Sequence, residues 1–311
     1  MGATPTMPVY PNHRYELNMP AFTRIAWASD HAREVWEPRL HAVRAASLDL
    51  EWMSVEAGIR PCCIATVTPA EMLRLAPRWL SHDLTSHLVD VVNLGPEDGS
   101  DATAPGRPVG MRLIVGRLAD VKRMVRAVEA CDNDTIGLML GYPPCCTEFF
   151  RAVWVEGGMI DTTWPMAAAS PGERVDEATI RLESAWEANI LWRWGGVRPV
   201  PSLPCRFDCP GTLSFARALA GVARDNGLGE AMDWTREILS WPIEWSALHG
   251  IAEITTPICK ISTPTDATGI RHTVQREGTA YPEEGARGLG FPYDSRVAPA
   301  STGRPAEVTS E

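Results

Sequence analysis

The sequence predicts a mixed α/β fold, with helices around a small mixed sheet, because a strand followed by a helix occurs twice. Residues 60–67 (RPCCIATV) form a short run rich in β-branched side chains, which is typical of a buried strand. Residues 68–71 (TPAE) then form a capping box with proline at the first helical position. The same order recurs where the apolar run 111–115 precedes helical spacing over 118–130.

Two further helices are predicted from their start signals and apolar spacing. One begins near Ser29, is interrupted at Pro38 and resumes over 41–56, because proline cannot donate the hydrogen bond of a helix interior. The other covers 173–194, where a second capping box (170–173, with Ser170 as the N-cap) precedes apolar side chains at helical intervals, and it ends at Gly195.

The rest of the chain is predicted to complete one globular unit over 1–294. Residues 251–261 and 270–277, rich in Ile, Thr and Val, predict a closing pair of strands. The Gly-, Pro- and Asp-rich loop 95–110 is the alternative divider, which would split the unit into two subdomains. Residues 295–311 are polar and contain proline, so they predict a disordered tail.

Composition argues against a nucleic-acid partner and against a membrane protein. The 311 residues carry a formal net charge of -10, with 39 acidic and 29 basic residues, and no basic face suited to phosphate contacts stands out. The first residues, MGATPTMPVYPNHR, lack the charged and apolar regions of a secretory signal, and no apolar run is long enough to cross a bilayer. We therefore expect a cytoplasmic protein whose eight cysteines are thiols or metal ligands rather than disulfides.

The first pair of candidate ligands lies at a predicted helix start. Cys145 and Cys146 directly follow Pro143 and Pro144, and an apolar-periodic run follows them, so the pair is predicted in the first turn of a helix. Free backbone N–H groups and the helix dipole stabilise negative charge at that end. The position therefore favours thiolates, the form of cysteine that binds metals.

The second pair lies before another predicted helix. Cys205 and Cys209 belong to PCRFDCP (204–210), and the run 211–225 after them has helical spacing, which places Cys209 at or near the helix N-cap. If the two helix starts face each other, the four sulfurs form one site. We expect the four sulfurs to bind an iron–sulfur cluster of the 4Fe–4S type. Two adjacent cysteines fit one small ion awkwardly, whereas a cluster offers each of them a separate iron.

Zinc, metal-free redox dithiols and ordinary buried cysteines stay open as alternatives for these four residues. The other cysteines are predicted to have packing roles. Cys62 and Cys63 lie in a predicted strand, where neighbouring side chains point to opposite faces and cannot share a ligand. Cys131 and Cys259 are isolated, and each is interpreted as a small apolar filler.

Three other side chains are candidates for chemistry beside the cysteines. Asp208 could bind a metal or relay protons, and Arg206 could bind an anionic substrate, with helix capping and ordinary surface charge as the competing explanations. His249 stands just before Gly250 at the boundary of two predicted elements. It is the candidate proton donor or base, with a purely structural role as the alternative.

GYPPCCTEFF (141–150), LPCRFDC (203–209) and WSALHGIAEI (245–254) resemble an uncharacterised prokaryotic family that carries Gly-Tyr-Pro-x-Cys-Cys and Pro-Cys-x-x-x-Cys. The resemblance covers residues 112–293 and implies that the four cysteines are the centre of the site, but it implies no activity. The sequence as a whole predicts an iron–sulfur enzyme that carries out redox or sulfur-transfer chemistry on a small-molecule substrate, with an electron-donor protein as partner. The alternatives are a zinc-stabilised binding or scaffold protein and a metal-free thiol enzyme.

Overall fold

The computed structural model describes residues 23–93, 109–159, 161–266 and 269–282, and within them the fold is mixed α/β. The helices are α1 (Asp30–Glu56), α2 (Pro69–Ser81), α3 (Leu118–Glu129), α4 (Asn133–Met139), α5 (Pro144–Phe150), α6 (Thr163–Ala169), α7 (Pro210–Asp225) and α8 (Gly229–Ser240). The strands are β1 (Arg24–Trp27), β2 (Cys62–Val67), β3 (Thr85–Asn93), β4 (Val109–Gly116), β5 (Glu173–Arg174), β6 (Thr179–Leu182), β7 (Ile243–Leu248), β8 (Ile251–Thr255), β9 (Cys259–Pro264) and β10 (His272–Arg276).

The larger sheet has seven strands in the order β1-β9-β8-β7-β10-β6-β5, so the predicted small sheet is wrong in size. Its pairs are antiparallel except that β10 runs parallel to β6. The first half of α1 packs on this sheet through Trp36 and Leu40, and Trp192, Trp241 and Trp245 lie in the same core. Burying several large aromatic side chains together is a major source of stability for this half.

The smaller sheet has the order β2-β4-β3 and is antiparallel. On one face, Cys63 packs with Trp52 of α1 and with side chains of α2. On the other face, Cys62 packs with Val121 and Met124 of α3. The prediction that the two adjacent cysteines point to opposite faces is therefore confirmed, and both are fully buried.

A Cys62→Ala protein is expected to bind as much metal as the parent protein and to lose about 1 kcal/mol of folding free energy, because only one small buried group is removed. The Sγ atom packs closely against the backbone of Gly116, so the lost contact is one of packing. Thermal melting and metal analysis of the folded variant test this expectation. A folded Cys62→Ala protein with less metal than the parent would show that the assignment is wrong.

The predicted helix over 173–194 is wrong. Its predicted N-cap, Ser170, instead donates a hydrogen bond to the carbonyl of Met166 and accepts one from Phe207 N–H. Within the segment, Ile180 and Leu182 point inward at period two, and β6 pairs with β10 far along the chain. Tertiary pairing thus overrides the apparent helical spacing.

Other predicted elements are confirmed or need smaller corrections. The helix at Ser29 does not break at Pro38, since α1 continues through it to Glu56; its buried face offsets the missing hydrogen bond. The closing strands are present, but the first predicted segment forms β8 and the start of β9. In the described ranges, none of the helices has the length and apolar character to span a membrane. Nearly all of the 95–110 divider and the whole 295–311 tail lie outside the described residues.

Candidate metal centre

The turn between α4 and α5 positions the first cysteine pair. Pro143 is the N-cap of α5, Pro144 follows at the first helical position, and the N–H of Cys146 donates to the Pro143 carbonyl at 2.8 Å. Proline suits this start because its fixed φ matches the helix and its missing N–H would have no partner there. Cys145 and Cys146 therefore lie in the first turn, which confirms the prediction.

The second pair is positioned by the loop that leads into α7. Cys209 is the N-cap of that helix and Pro210 takes the first helical position. The N–H of Cys209 donates to the Arg206 carbonyl at 3.2 Å, which closes a tight turn after Cys205. The prediction for Cys209 is confirmed, and Cys205 lies in the loop before the helix.

The starts of α5 and α7 are in contact because the residue of α7 at this point, Gly211, has no side chain. A Cβ atom placed on Gly211 would stand 2.7 Å from the Cβ of Pro143, which is closer than real side-chain atoms pack. Glycine therefore allows the first turn of α7 to lie directly against the N-cap of α5. This approach brings the two cysteine pairs together.

The four sulfur atoms form one compact cluster. All four Sγ atoms lie within 4.8 Å of one another, so the group could hold a metal ion. The Sγ of Cys209 is 3.6 Å from the Sγ of Cys145 and 3.6 Å from that of Cys146. The predicted convergence of Cys145, Cys146, Cys205 and Cys209 is thereby confirmed.

The adjacent cysteines converge, although the sequence argument expected an adjacent pair to fit one small ion awkwardly. Successive residues of a helix are about 100° apart around its axis, whereas successive residues of a strand point to opposite sides. In the first turn of α5 this smaller angle allows both Cys145 and Cys146 to reach Cys209. Cys146 and Cys209 are buried, Cys205 is partly buried and Cys145 is exposed, so the cluster opens to solvent on one side.

Burial and hydrogen bonds give three of the four thiols different pKa values. Burial raises the pKa of the Cys146 thiol to about 12, although the Thr212 hydroxyl and the Cys205 N–H partly offset it. Burial and the nearby sulfurs of Cys146 and Cys209 also raise the pKa of Cys205. Burial opposes ionisation of Cys209 too, but donors from Thr212 and from the thiols of Cys146 and Cys145 outweigh it and lower the Cys209 pKa to about 7. Without a metal, Cys209 is thus the thiol of these three that ionises most readily.

Thr212 is a site residue that the sequence argument missed. Its hydroxyl lies 3.5 Å from the Sγ of Cys146, and its hydroxyl and backbone N–H are near enough to the Cys209 sulfur to lower the pKa of that thiol. Thr212 is fully buried and stands three residues after the N-cap Cys209. Because a side chain at that position reaches back to the N-cap, this spacing is the signal that could have found it.

The other candidate residues lie outside the sulfur cluster. Arg206 and Asp208 are half-exposed and form an ion pair, with Arg206 Nε 3.1 Å from Asp208 Oδ1. Asp208 Oδ1 is nevertheless buried and makes no hydrogen bond to the described residues. His249 is exposed in the turn between β7 and β8, with a φ of 51°. Of the described residues, only the four cysteines form a group suited to a metal, and the roles predicted for these three remain predictions.

No protein-family model, no curated protein and no solved structure matches the chain. Its own fold and site therefore define its class. It is a mixed α/β protein with four clustered cysteines that could bind a metal ion.

Metal affinity is expected to rise steeply with pH. Burial raises the pKa of Cys146 to about 12 and raises that of Cys205 as well, so both thiols keep their protons at neutral pH when no metal is bound. A metal ion displaces these protons, and the logarithm of the association constant should increase by about two or more per pH unit. Chelator competition at several pH values measures the slope. A pH-independent affinity would rule out ligation by these two thiols.

Proposed function

We propose that the four cysteines bind a single zinc ion and that the chain is a zinc-stabilised binding or scaffold protein. The sulfur spacing carries this proposal. Four sulfurs at about 2.3 Å from one zinc ion stand about 3.8 Å apart at the corners of a tetrahedron. The distances of 3.6 Å from Cys209 to Cys145 and to Cys146, with all four sulfurs within 4.8 Å, are close to this requirement.

A closed shell of four thiolates favours a structural role over a hydrolytic one. Catalytic zinc sites keep one position for water, whereas structural sites fill all four positions with protein ligands. Here the ion would join the start of α5 to the segment that leads into α7. It would link Cys209 to Cys146 and Cys145, which are 63 and 64 positions earlier in the chain. Because such a site does not exist in the unfolded chain, the free energy of metal binding would stabilise the fold directly.

An iron–sulfur enzyme with redox or sulfur-transfer activity is the second candidate, and the donors around the sulfurs favour it. The Thr212 hydroxyl lies 3.5 Å from the Sγ of Cys146, and hydrogen bonds to the sulfurs tune the potential of clusters. The exposed Cys145 would give a redox partner access. However, a cubane cluster binds its thiolates at separate irons and holds them farther apart than one ion does, so the side chains would have to move outward.

Metal analysis of the full chain, purified anaerobically with a thiol reductant, tests the proposal. We expect colourless protein with one zinc per chain. Replacement by Co²⁺ should give the visible bands of a tetrahedral thiolate complex. Brown protein with equal amounts of iron and acid-labile sulfide would support the second candidate instead. Metal-free protein in which all four cysteines react with a thiol reagent, and which takes up neither ion, would contradict both.

A further inference from the structure

The smaller sheet has an open edge that contributes no residue to the cysteine cluster. In the described part of the chain, β3 pairs with β4 and with no other strand. The register of β3 shifts between Leu88 and Asp90, and the Val91 N–H donates to the Asp90 side chain. Elsewhere along such an edge strand, the outer backbone N–H and C=O groups are a template for another extended segment. Next to this edge, both faces of the sheet also carry exposed side chains that could contact a bound segment.

A groove lies beside β3 on the side covered by α3. It has a volume of about 450 Å³, which is within the range of natural binding sites. Its apolar part comes from Leu118, which is 59% exposed, and from Val121 and Val125. His87 belongs to this side because it stands opposite Ile114, and Ile114 packs with α3.

The charge of this groove has one sign. Lys122 and Arg126 line it from α3, His87 lines it from β3, and none of its lining residues is acidic. All three side chains are exposed. In a protein of formal net charge -10, this local basic rim selects a partner with carboxylates.

The opposite side of β3 is apolar and exposed. Leu88 and Val91 are 49% and 54% exposed and stand opposite Leu113 and Met111 of β4. Directly opposed residues share a face of a sheet, and Leu113 and Met111 belong to the face that α2 covers. Leu88 and Val91 therefore lie on the α2 side of the edge.

Helix α2 extends this apolar surface. Leu73 and Leu80 are 79% and 77% exposed, and their spacing of seven places them on one flank of the helix. The flank with Arg74 and Arg78 turns toward α1, where Arg74 pairs with Asp49 and Arg78 lies over a tryptophan ring. The leucines are on the other flank. Since α1 packs beside β2 at the far edge, that flank lies on the β3 side.

We propose that the β3 edge is the docking site for an extended acidic segment of a partner protein, which adds to the sheet as a fourth strand. Side chains alternate between the two faces of a strand, so acidic side chains at every second position would meet the basic rim of Lys122, Arg126 and His87. The apolar side chains between them would cover Leu88, Val91 and the two leucines of α2. Backbone hydrogen bonds supply affinity in this mode, and the alternating side chains supply selectivity.

The test uses a fluorescein-labelled ten-residue peptide of alternating Glu and Val and the full-length protein. Fluorescence anisotropy should show saturable binding. The Lys122→Glu/Arg126→Glu protein should bind the peptide about tenfold or more weakly, because both contacts change from attraction to repulsion. Arg123→Glu is the matched control, since it reverses an exposed charge on the same helix outside the groove and should change affinity less than about twofold.

Two further peptides separate strand addition from simple charge attraction. The same Glu–Val peptide with every backbone nitrogen methylated should not bind, because it cannot donate hydrogen bonds to the edge. A Lys–Val peptide should not bind either. Equal binding of the methylated peptide, equal affinity of the charge-reversed protein, or no saturable binding up to about 1 mM would overturn the proposal. A dimer in light scattering that Val91→Lys converts to a monomer would instead identify a second copy as the occupant and also overturn it.

Discussion

The Cys209→Ser protein is expected to lose stoichiometric metal and to melt about 10 °C or more below the parent. A serine oxygen is a harder and far less acidic ligand than thiolate, so a thiolate-preferring ion is released. Cys209 is the sulfur that lies 3.6 Å from both members of the other pair, and neighbouring donors lower its pKa to about 7. Because binding stabilises only the folded chain, a loss of about 3–5 kcal/mol corresponds to a shift of this size.

Cys131→Ser is the matched control for this change. Cys131 is exposed and lies outside the cluster, so this variant should keep its metal and its melting temperature. Metal analysis and calorimetry of both variants, with and without a chelator, provide the comparison. The chelator should lower the melting temperature of the parent and of Cys131→Ser, but not that of Cys209→Ser. If Cys209→Ser binds as much metal as Cys131→Ser and melts at the same temperature, the four cysteines are not the metal ligands.

Local signals account for the parts of the site that the sequence predicted correctly. The starts of α5 and α7 depend on prolines at the first helical position, and this signal needs no information from the rest of the chain. The contact between Gly211 and Pro143 is different in kind. It joins segments more than sixty residues apart, so the convergence of the cysteines could be predicted only as a hypothesis about shared chemistry.

Long-range pairing explains what the sequence could not predict in the fold. Residues 179–182 carry apolar side chains that fit either a helix or a strand, and the parallel partner β10 decides between them. That partner lies about ninety residues later, where no local pattern refers back to β6. The size of the seven-stranded sheet was missed for the same reason. Strand β1, early in the chain, pairs with β9, which lies more than two hundred residues later.

Replacing Arg60 by methionine is expected to cost about 3–5 kcal/mol of folding free energy, because it leaves the largely buried Glu51 carboxylate with only the half-exposed Arg198 near it. The Arg60 side chain is 1% exposed and pairs with Glu51, which is 11% exposed. Arg60 also donates to the Ser54 hydroxyl at 2.8 Å and to the Glu51 carbonyl at 2.9 Å. Methionine fills much of the space but supplies none of these hydrogen bonds.

Arg198→Met is the matched control for Arg60→Met, because Arg198 approaches the same carboxylate. Its Nη2 atom is 3.5 Å from Glu51 and its side chain is 49% exposed, so its removal should cost no more than about 1 kcal/mol. The double variant Glu51→Gln/Arg60→Met removes the stranded charge and should recover much of the lost stability. Urea unfolding of the three variants measures these differences. Equal costs for Arg60→Met and Arg198→Met would show that the buried ion pair does not stabilise the fold in this way.

The same change is expected to weaken metal binding, although Arg60 is not a ligand. Gly141 has a φ of 74° and lies so close to Arg60 that an added Cβ would stand 2.7 Å from the Arg60 Cβ. Gly141 and Tyr142 lead directly into α5, and methionine keeps the Cβ contact but loses the hydrogen bonds to Ser54 and Glu51 that hold residue 60 against this turn. We expect Arg60→Met to reduce zinc affinity several-fold under conditions where the protein is still folded, because part of the binding free energy must then reorder this turn. Chelator competition at low temperature measures the change, and an unchanged affinity would show that the turn holds its conformation without Arg60.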